Sequence, residues 1–479
     1  MKKGFTLIEL LAVIVILAII ALIATPIVLD IIEDSKESSN IQSINSLVDM
    51  AEMYATTNET TGNLYDKVID KIKGTKPDNG TIYVNKKGEV ALALKYNNKC
   101  YVKAYDSNKI TQSKDENCIV PVDYLMVVDE TSKDDVAAFG GPIKRKEVER
   151  IITVSTNEVP VDVIGSFDVS ENQNRSIMAW YKDEDNNGLY ELYIGQDGGV
   201  KANPNSFKLF NYYTNVVSMD LINLDTSNVT NMGALFQRCE KLLNLDLSGF
   251  NTTNVTTMRS MFNNCYDLQN INLSSFDTSK ITTMRAMFQN CSSLLYLDVS
   301  NFNTSNVTDM RGMFYALKVN SIDVSNFDTS NVTTMSGMFA MCTNLKTLNL
   351  SNFNTSKVTT MEGMMNYCES LKEINLSSFD TSNVTNMYGM FTACKSLEKI
   401  DLSNFDTSNV VNMQGMFRFT QILKTININK ADFTKVTEYT NMFGESGVTN
   451  ITVKDATAKT FIESRLTDAS ITGVTVTIG

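Results

Sequence analysis

The sequence predicts an α+β protein of several domains: a long N-terminal helix, two small β-rich modules, then a solenoid of about nine 25–26-residue repeats with parallel β-strands and short helices. Three observations carry this. Phe5–Ala24 holds a single charge, Glu9, and downstream apolar residues recur at spacings of three and four. Between Thr81 and Ile194, short β-branched and aromatic runs alternate with Gly, Asn and Asp turns. From Val216 onward a phenylalanine returns about every 26 residues.

Length and composition set the frame. A chain of 479 residues exceeds what one hydrophobic core supports, and 43% hydrophobic with 20% charged residues is a globular balance. The net charge of −12 argues against nucleic acid as a partner, because that binding rests on Lys and Arg neutralising phosphates. Lys144-Arg145-Lys146 is the one dense basic run; with Glu147 and Glu149 beside it, it reads as a solvated segment. Histidine is absent, which removes the commonest general base and zinc ligand. The expectation is a protein that is not an enzyme and has no catalytic residues, cofactor or metal.

The first element is the apolar run. About twenty residues at 1.5 Å each span the roughly 30 Å of a bilayer's hydrocarbon. Lys2 and Lys3 precede the run and Asp30, Glu33 and Asp34 follow it, which places the N-terminus in the cytoplasm and the rest outside. A secretory signal would be shorter, with a small-x-small site at its far end, where Leu22-Ile23-Ala24-Thr25-Pro26 fits poorly. A lipoprotein signal needs a cysteine there, and the first is Cys100. A plain anchor leaves Glu9 unexplained, at about 2.5–3.5 kcal/mol for a carboxylate in the span.

Lys3-Gly4-Phe5-Thr6-Leu7-Ile8-Glu9-Leu10-Leu11, with the apolar stretch to Thr25-Pro26, resembles the prepilin leader of type IV pilins and pseudopilins. The resemblance implies that a prepilin peptidase cuts between Gly4 and Phe5 and methylates Phe5. It also implies that Glu9 pairs with the cationic Phe5 amine of a neighbouring pilin subunit during assembly. One buried charge neutralising another agrees with that role. The segments expected are a leader, 1–4, and a transmembrane pilin helix, 5–57. Pro26 should kink the helix, which resumes with Ile41, Ile44, Val48, Ala51 and Ala55 on one face.

Residues 58–120 read as a small β-rich pilin head, with strands at Thr81–Val84, Glu89–Tyr96 and Cys100–Tyr105. In an exported protein Cys100 and Cys118, the only cysteines outside the repeats, are expected to be bridged. Residues 121–215 read as a second β-rich module that caps the solenoid. Its Asp183-Glu184-Asp185-Asn186-Asn187-Gly188 run matches half a calcium loop, but Ile194 stands where a bidentate glutamate belongs. A turn on Asn187-Gly188 joining two strands is the better reading, and Trp180 reads as core.

Residues 216–446 are the repeats. The core column is Phe236, Phe262, Phe288, Phe314, Phe339, Met365, Phe391, Phe417 and Phe443, spaced 26 apart except 25 between Phe314 and Phe339. Leu245 and Leu247 suit a short strand, and Met258, Met261 and Phe262 the apolar face of a short helix on the opposite wall. The methionines read as core, and Cys239, Cys265, Cys291, Cys342, Cys368 and Cys394 as buried thiols, since no Cys-x-x-Cys pair exists for a metal. Asn-x-Thr sequons such as Asn254-Val255-Thr256 read as turn chemistry. Residues 447–479 form a C-terminal cap.

The unit Leu-Asp-Leu-Ser-x-Phe-Asp-Thr-Ser-Asn-Val-Thr-x-Met-x-x-Met-Phe-x-x-Cys resembles the BspA-type leucine-rich repeat of bacterial surface proteins, over about Val216–Gly444. The resemblance implies binding in general. The function expected is a type IV pilin-like surface protein, minor or tip-type, whose repeats adhere to an extracellular protein or glycan on host, matrix or other cells. Its polar strand wall is the expected contact face. The alternative is a pseudopilin of a type II-like secretion system that captures cargo. With no C-terminal sorting signal in view, the chain is expected as a single-pass protein of the bacterial membrane before assembly, and on the pilus or cell surface after processing.

Overall fold

The computed structural model describes residues 7–58, 60, 62–85, 87–105, 107–113, 118, 125–128 and 131–479. They divide into two compact units, Met1–Tyr124 with Asn172–Ser176, and Leu125–Glu171 with Ile177–Gly479.

The first unit pairs a helix, Leu7–Asn58, with an antiparallel five-stranded meander. The strands run Gly62–Asn63, Asn79–Val84, Val90–Tyr96, Lys99–Lys103 and Thr111–Ser113, each beside its sequence neighbour. Ile44, Leu47, Val48, Ala51 and Ala55 lie at helical spacing and are buried with Ile82, Leu92, Leu94 and Tyr101. The sheet's other face buries Tyr83, Ala91, Ala93, Cys100 and Val102. There Cys100 and Cys118 form a disulfide with Cα atoms 5.2 Å apart.

The second unit has one apolar core from Met126 to Val476. A seven-stranded sheet opens it, in the order Asn270–Asn272, Asn244–Asp246, Ser218–Asp220, Val148–Val154, Tyr190–Gly195, Met178–Lys182 and Gly165–Asp168. The strand Val148–Val154 pairs parallel with both Ser218–Asp220 and Tyr190–Gly195. The module before the repeats therefore shares one sheet with them. Met178–Lys182 and Tyr190–Gly195 are antiparallel, joined through the Asp183–Gly188 segment. Trp180 is buried and stacks on Tyr193 at 5.9 Å.

The expected fold class is corrected in this unit. No wall of short helices lines the repeats. Ser260 (φ 57°) and Asn264 (φ 63°) are left-handed, and so are their equivalents in every repeat. Two left-handed residues four apart cannot sit in a right-handed helix. The segment is instead a run of tight turns whose amide donors alternate in direction. Met261 and Asn263 donate back to Met258 and Ser260, at 3.2 and 3.1 Å. Ser260, Phe262 and Asn264 donate across to Arg285, Met287 and Gln289 of the next repeat, at 2.8, 2.9 and 2.8 Å. Nor is there one unbroken parallel sheet: the strand wall splits into separate sheets, and residues 295–299 and 320–324 hold no strand.

The second unit ends in a four-stranded parallel sheet, Lys399–Asp401, Thr425–Ile428, Asn450–Val453 and Thr475–Ile478. A true helix, Ala456–Asp468, makes the last connection; the Asp455 carboxylate caps it by accepting from the Ala458 amide at 2.9 Å. Its Phe461 stacks on Phe433 at 4.7 Å, closing the core.

Among the described residues no helix is long and apolar enough to cross a membrane. Gly4 and Phe5 lie outside the described residues. The helical assignment runs through Glu9 and Pro26, but their side chains lie outside the described residues, as do most between Leu7 and Ile31. Arg145 corrects another expectation: it is fully buried, donating to the backbone and side-chain oxygens of Asn211, with its guanidinium 5.1 Å from the Tyr213 ring. A planar cation with donors in fixed directions can be buried where partners meet it.

Candidate functional site: the two faces of the repeat stack

Each repeat is held to the next by polar ladders as well as by packing. Phe236, Phe262, Phe288, Phe314 and Phe339 stack ring on ring at 5.4–6.1 Å. Met365 interrupts the column, and Phe391, Phe417 and Phe443 continue it at 5.9 and 5.6 Å. The column begins one turn earlier than the column expected from sequence, since Phe210, 26 residues before Phe236, stacks on it at 5.9 Å. That turn lacks the two methionines of the Met-x-x-Met-Phe motif but keeps its phenylalanine in register, and the left-handed backbone at Lys208 and Tyr212 matches the later repeats.

Beneath the strand wall runs a hydroxyl ladder that sequence reasoning missed. The buried Thr355 hydroxyl donates to the Asp380 carbonyl and accepts from the Asp380 amide, both at 2.8 Å. Thr252, Thr278 and Thr381 donate likewise to the next repeat at 2.8–2.9 Å. The Thr in each Phe-Asx-Thr triplet was its signal. The cysteine column works the same way: the Cys265, Cys291 and Cys368 thiols each donate to a phenylalanine carbonyl one repeat back at 3.1 Å. Burial pushes the Cys265 thiol up to about 12. The sequon amides are also engaged, as Asn254 donates to the Ser227 carbonyl at 3.0 Å. No grouping that could hold a metal occurs among the described residues.

Outside this interior the stack presents two grooves. On the strand face a groove of about 770 Å³ has Ile322, Leu348, Ile374 and Ile400 in its floor and Asp323, Asn349, Glu373 and Lys399 on its rim. Its aspartates are committed to local turns. The Ser325 hydroxyl and amide hold the Asp323 carboxyl below its usual range, and Asp401 accepts from the Ser403 amide at 3.0 Å.

On the turn face a groove of about 970 Å³ includes Arg285, Arg311, Tyr315, Tyr367, Tyr388 and Asn366 in its lining. Its base falls on the left-handed column, where glycine replaces side chains at Gly312, Gly337 and Gly363. A continuous series of single parallel bridges, from Asn205 to Glu438, keeps every rung in register.

Two family models match the chain. One, described as a prokaryotic N-terminal methylation motif, covers residues 1–25. The other, described as Mycoplasma protein of unknown function, DUF285, matches residues 205–315, 268–351, 294–374 and 341–456, together more than half of the chain. No curated protein matches significantly. A solved structure titled as a TLR13–ssRNA13 complex is 15% identical over 58% of this chain and 41% of that one. Its TM-score of 0.14 is too low to carry an argument.

Proposed function

The chain belongs to the family described as Mycoplasma protein of unknown function, DUF285, and from that premise we propose a minor or tip-type pilin-like surface protein whose repeats adhere to an extracellular protein or glycan. The methylation motif at residues 1–25 indicates a type IV pilin-like surface protein, and it is compatible with a prepilin peptidase and other pilin subunits as partners. The single observation that carries the adhesive reading is the union, in one chain, of that motif with a stack of repeats bearing two long grooves. Preformed concave surfaces of this size suit ligand binding. Resemblance of the repeat unit to BspA-type surface proteins supports the same reading. No catalytic role is assigned: the thiols of the repeats are buried and histidine is absent.

The test uses the full chain in pilus-bearing cells. Cells carrying it are expected to bind spots on a matrix-protein and glycan array, and Gly4→Val or Glu9→Ala to abolish both surface display and binding. Normal display of either variant would overturn the pilin assignment. Loss of a secreted protein on deletion, with adhesion unchanged, would assign the chain to a secretion pseudopilus instead. Dense labelling along the whole shaft would contradict minor or tip placement.

A further inference from the structure

Arg259, Arg285 and Arg311 are three of the chain's nine arginines, and they occupy the same position in three consecutive repeats. The bridges Thr257–Thr283 and Thr283–Asp309, two residues before each, put them on adjacent rungs. Rungs paired in this way lie about 4.8 Å apart. Only Arg311 has a carboxylate: its Nε and Nη2 donate to Asp309 at 3.0 and 2.6 Å. Neither Arg259 nor Arg285 has an ion pair or side-chain hydrogen bond among the described residues, and Arg285 is half-buried. Its burial and the neighbouring Arg311 and Arg259 push its pKa down, while the nearby Asp309 carboxylate opposes them in part. Like charges directly opposite one another destabilise a ladder. In a chain of net charge −12, this row is a local reversal of sign that folding does not require.

The row runs into the turn-face groove, whose lining takes in Arg285 and Arg311 and, further along, Tyr315, Tyr367 and Tyr388. Tyr367 and Tyr388 are 38% and 39% exposed, so each offers ring surface to a ligand. Around them stand the neutral amides Gln289 and Asn366 and one carboxylate, Glu362, which accepts from the Asn386 side-chain amide at 3.2 Å. The Asn366 side-chain oxygen, Oδ1, is buried with no hydrogen-bond partner among the described residues. The glycine column leaves the floor low: a Cβ built on Gly337 would meet nothing nearer than 3.8 Å. Aryl faces, neutral amides and hydroxyls suit a polyhydroxylated ring, which has an apolar C–H face and a polar edge. Resting on the adhesive reading above, we propose that the turn face binds an anionic polysaccharide, with its carboxylate or sulfate groups on Arg259 and Arg285 and its sugar rings along Tyr315, Tyr367 and Tyr388. The strand wall, the contact face that sequence suggests, is then not the main binding surface.

The test measures binding of the full chain in detergent to hyaluronan (carboxylate only), heparin (sulfate and carboxylate), neutral dextran and a DNA oligonucleotide. Binding to hyaluronan, heparin or both is expected, weakening with salt, with dextran and DNA left unbound. Arg285→Gln and, separately, Arg259→Gln should each weaken it about tenfold or more, at unchanged or higher melting temperature. Lys399→Gln on the strand face should leave it unchanged. The proposal falls if neither arginine variant weakens binding, if Lys399→Gln weakens it as much, or if DNA binds as tightly. It also falls if neither anionic polysaccharide binds. Array binding by wild-type cells that survives both arginine substitutions would sink this proposal and leave the adhesive reading standing; no array binding at all would sink that reading.

Discussion

At the scale of single residues, the repeat interior is governed by where polar groups find partners. Thr355 is the clearest case, because its hydroxyl satisfies both backbone groups of Asp380. Replacing it by valine keeps the shape and strands a buried amide and carbonyl. Thr355→Val should therefore cost about 1–3 kcal/mol in urea unfolding. Thr359→Val, whose exposed hydroxyl bonds the Thr333 carbonyl at 3.2 Å, should stay within about 0.5 kcal/mol. The thiols give a pH signature. Cys265, Cys342 and Cys394 move from the ordinary 9.0 up to about 12 through burial. The folded state thus holds protons that the unfolded chain releases above pH 9, so stability is fully present below that pH and is lost as pH rises toward 12. Urea midpoints measured from pH 8 to 11 should fall above pH 9, and a Cys265→Ala variant should show a shallower fall. The cysteine column was legible as buried thiols from its spacing. That each thiol donates to a carbonyl one repeat back was not, because that contact joins residues 29 apart.

At the scale of elements, the instructive case is the Met-x-x-Met-Phe segment. Its apolar spacings of three and four match a helix face, and Met258, Met261 and Phe262 are indeed all buried. Consecutive turns of three residues bury the same positions, so periodicity cannot separate the two. The deciding signal lay in a different column, Gly312, Gly337, Gly363, Gly389 and Gly415, all at positive φ. Recurrent glycine inside a helical pattern marks a backbone that leaves the helical region. Gly337→Val should then cost about 1–2 kcal/mol through left-handed strain, measured by urea denaturation, even though the space above Gly337 is open. An unchanged midpoint would mean that the turn accommodates a β-branched residue. The strands of the first unit were easier to read, because Ile82, Val84, Leu92 and Leu94 take alternate positions in two short runs separated by a nearby turn.

At the scale of the molecule, the two units rest on different devices. The smaller has a disulfide over a sequence separation of 18 residues. Reduction should destabilise it by roughly 3 kcal/mol on loop-entropy grounds, seen as an earlier loss of amide-exchange protection in Val90–Tyr96. The second unit, whose six cysteines are free, should keep its protection under the same reductant. Sequence by itself determined the apolar column, the repeat length and the leader motif, because each is a pattern of residue type along the chain, and the hydrophobic effect acts on residue type. It also told which residues are inside, from Phe236 to Phe443. Only the tertiary structure decided that turns replace helices, that Val148–Val154 joins the module to the repeats in one sheet, that Arg145 is buried, and that Arg259, Arg285 and Arg311 line up beside a groove. Those outcomes depend on which backbone donors meet which acceptors across repeats, and such pairing is set by three-dimensional register, which a linear pattern of apolar and polar residues leaves open.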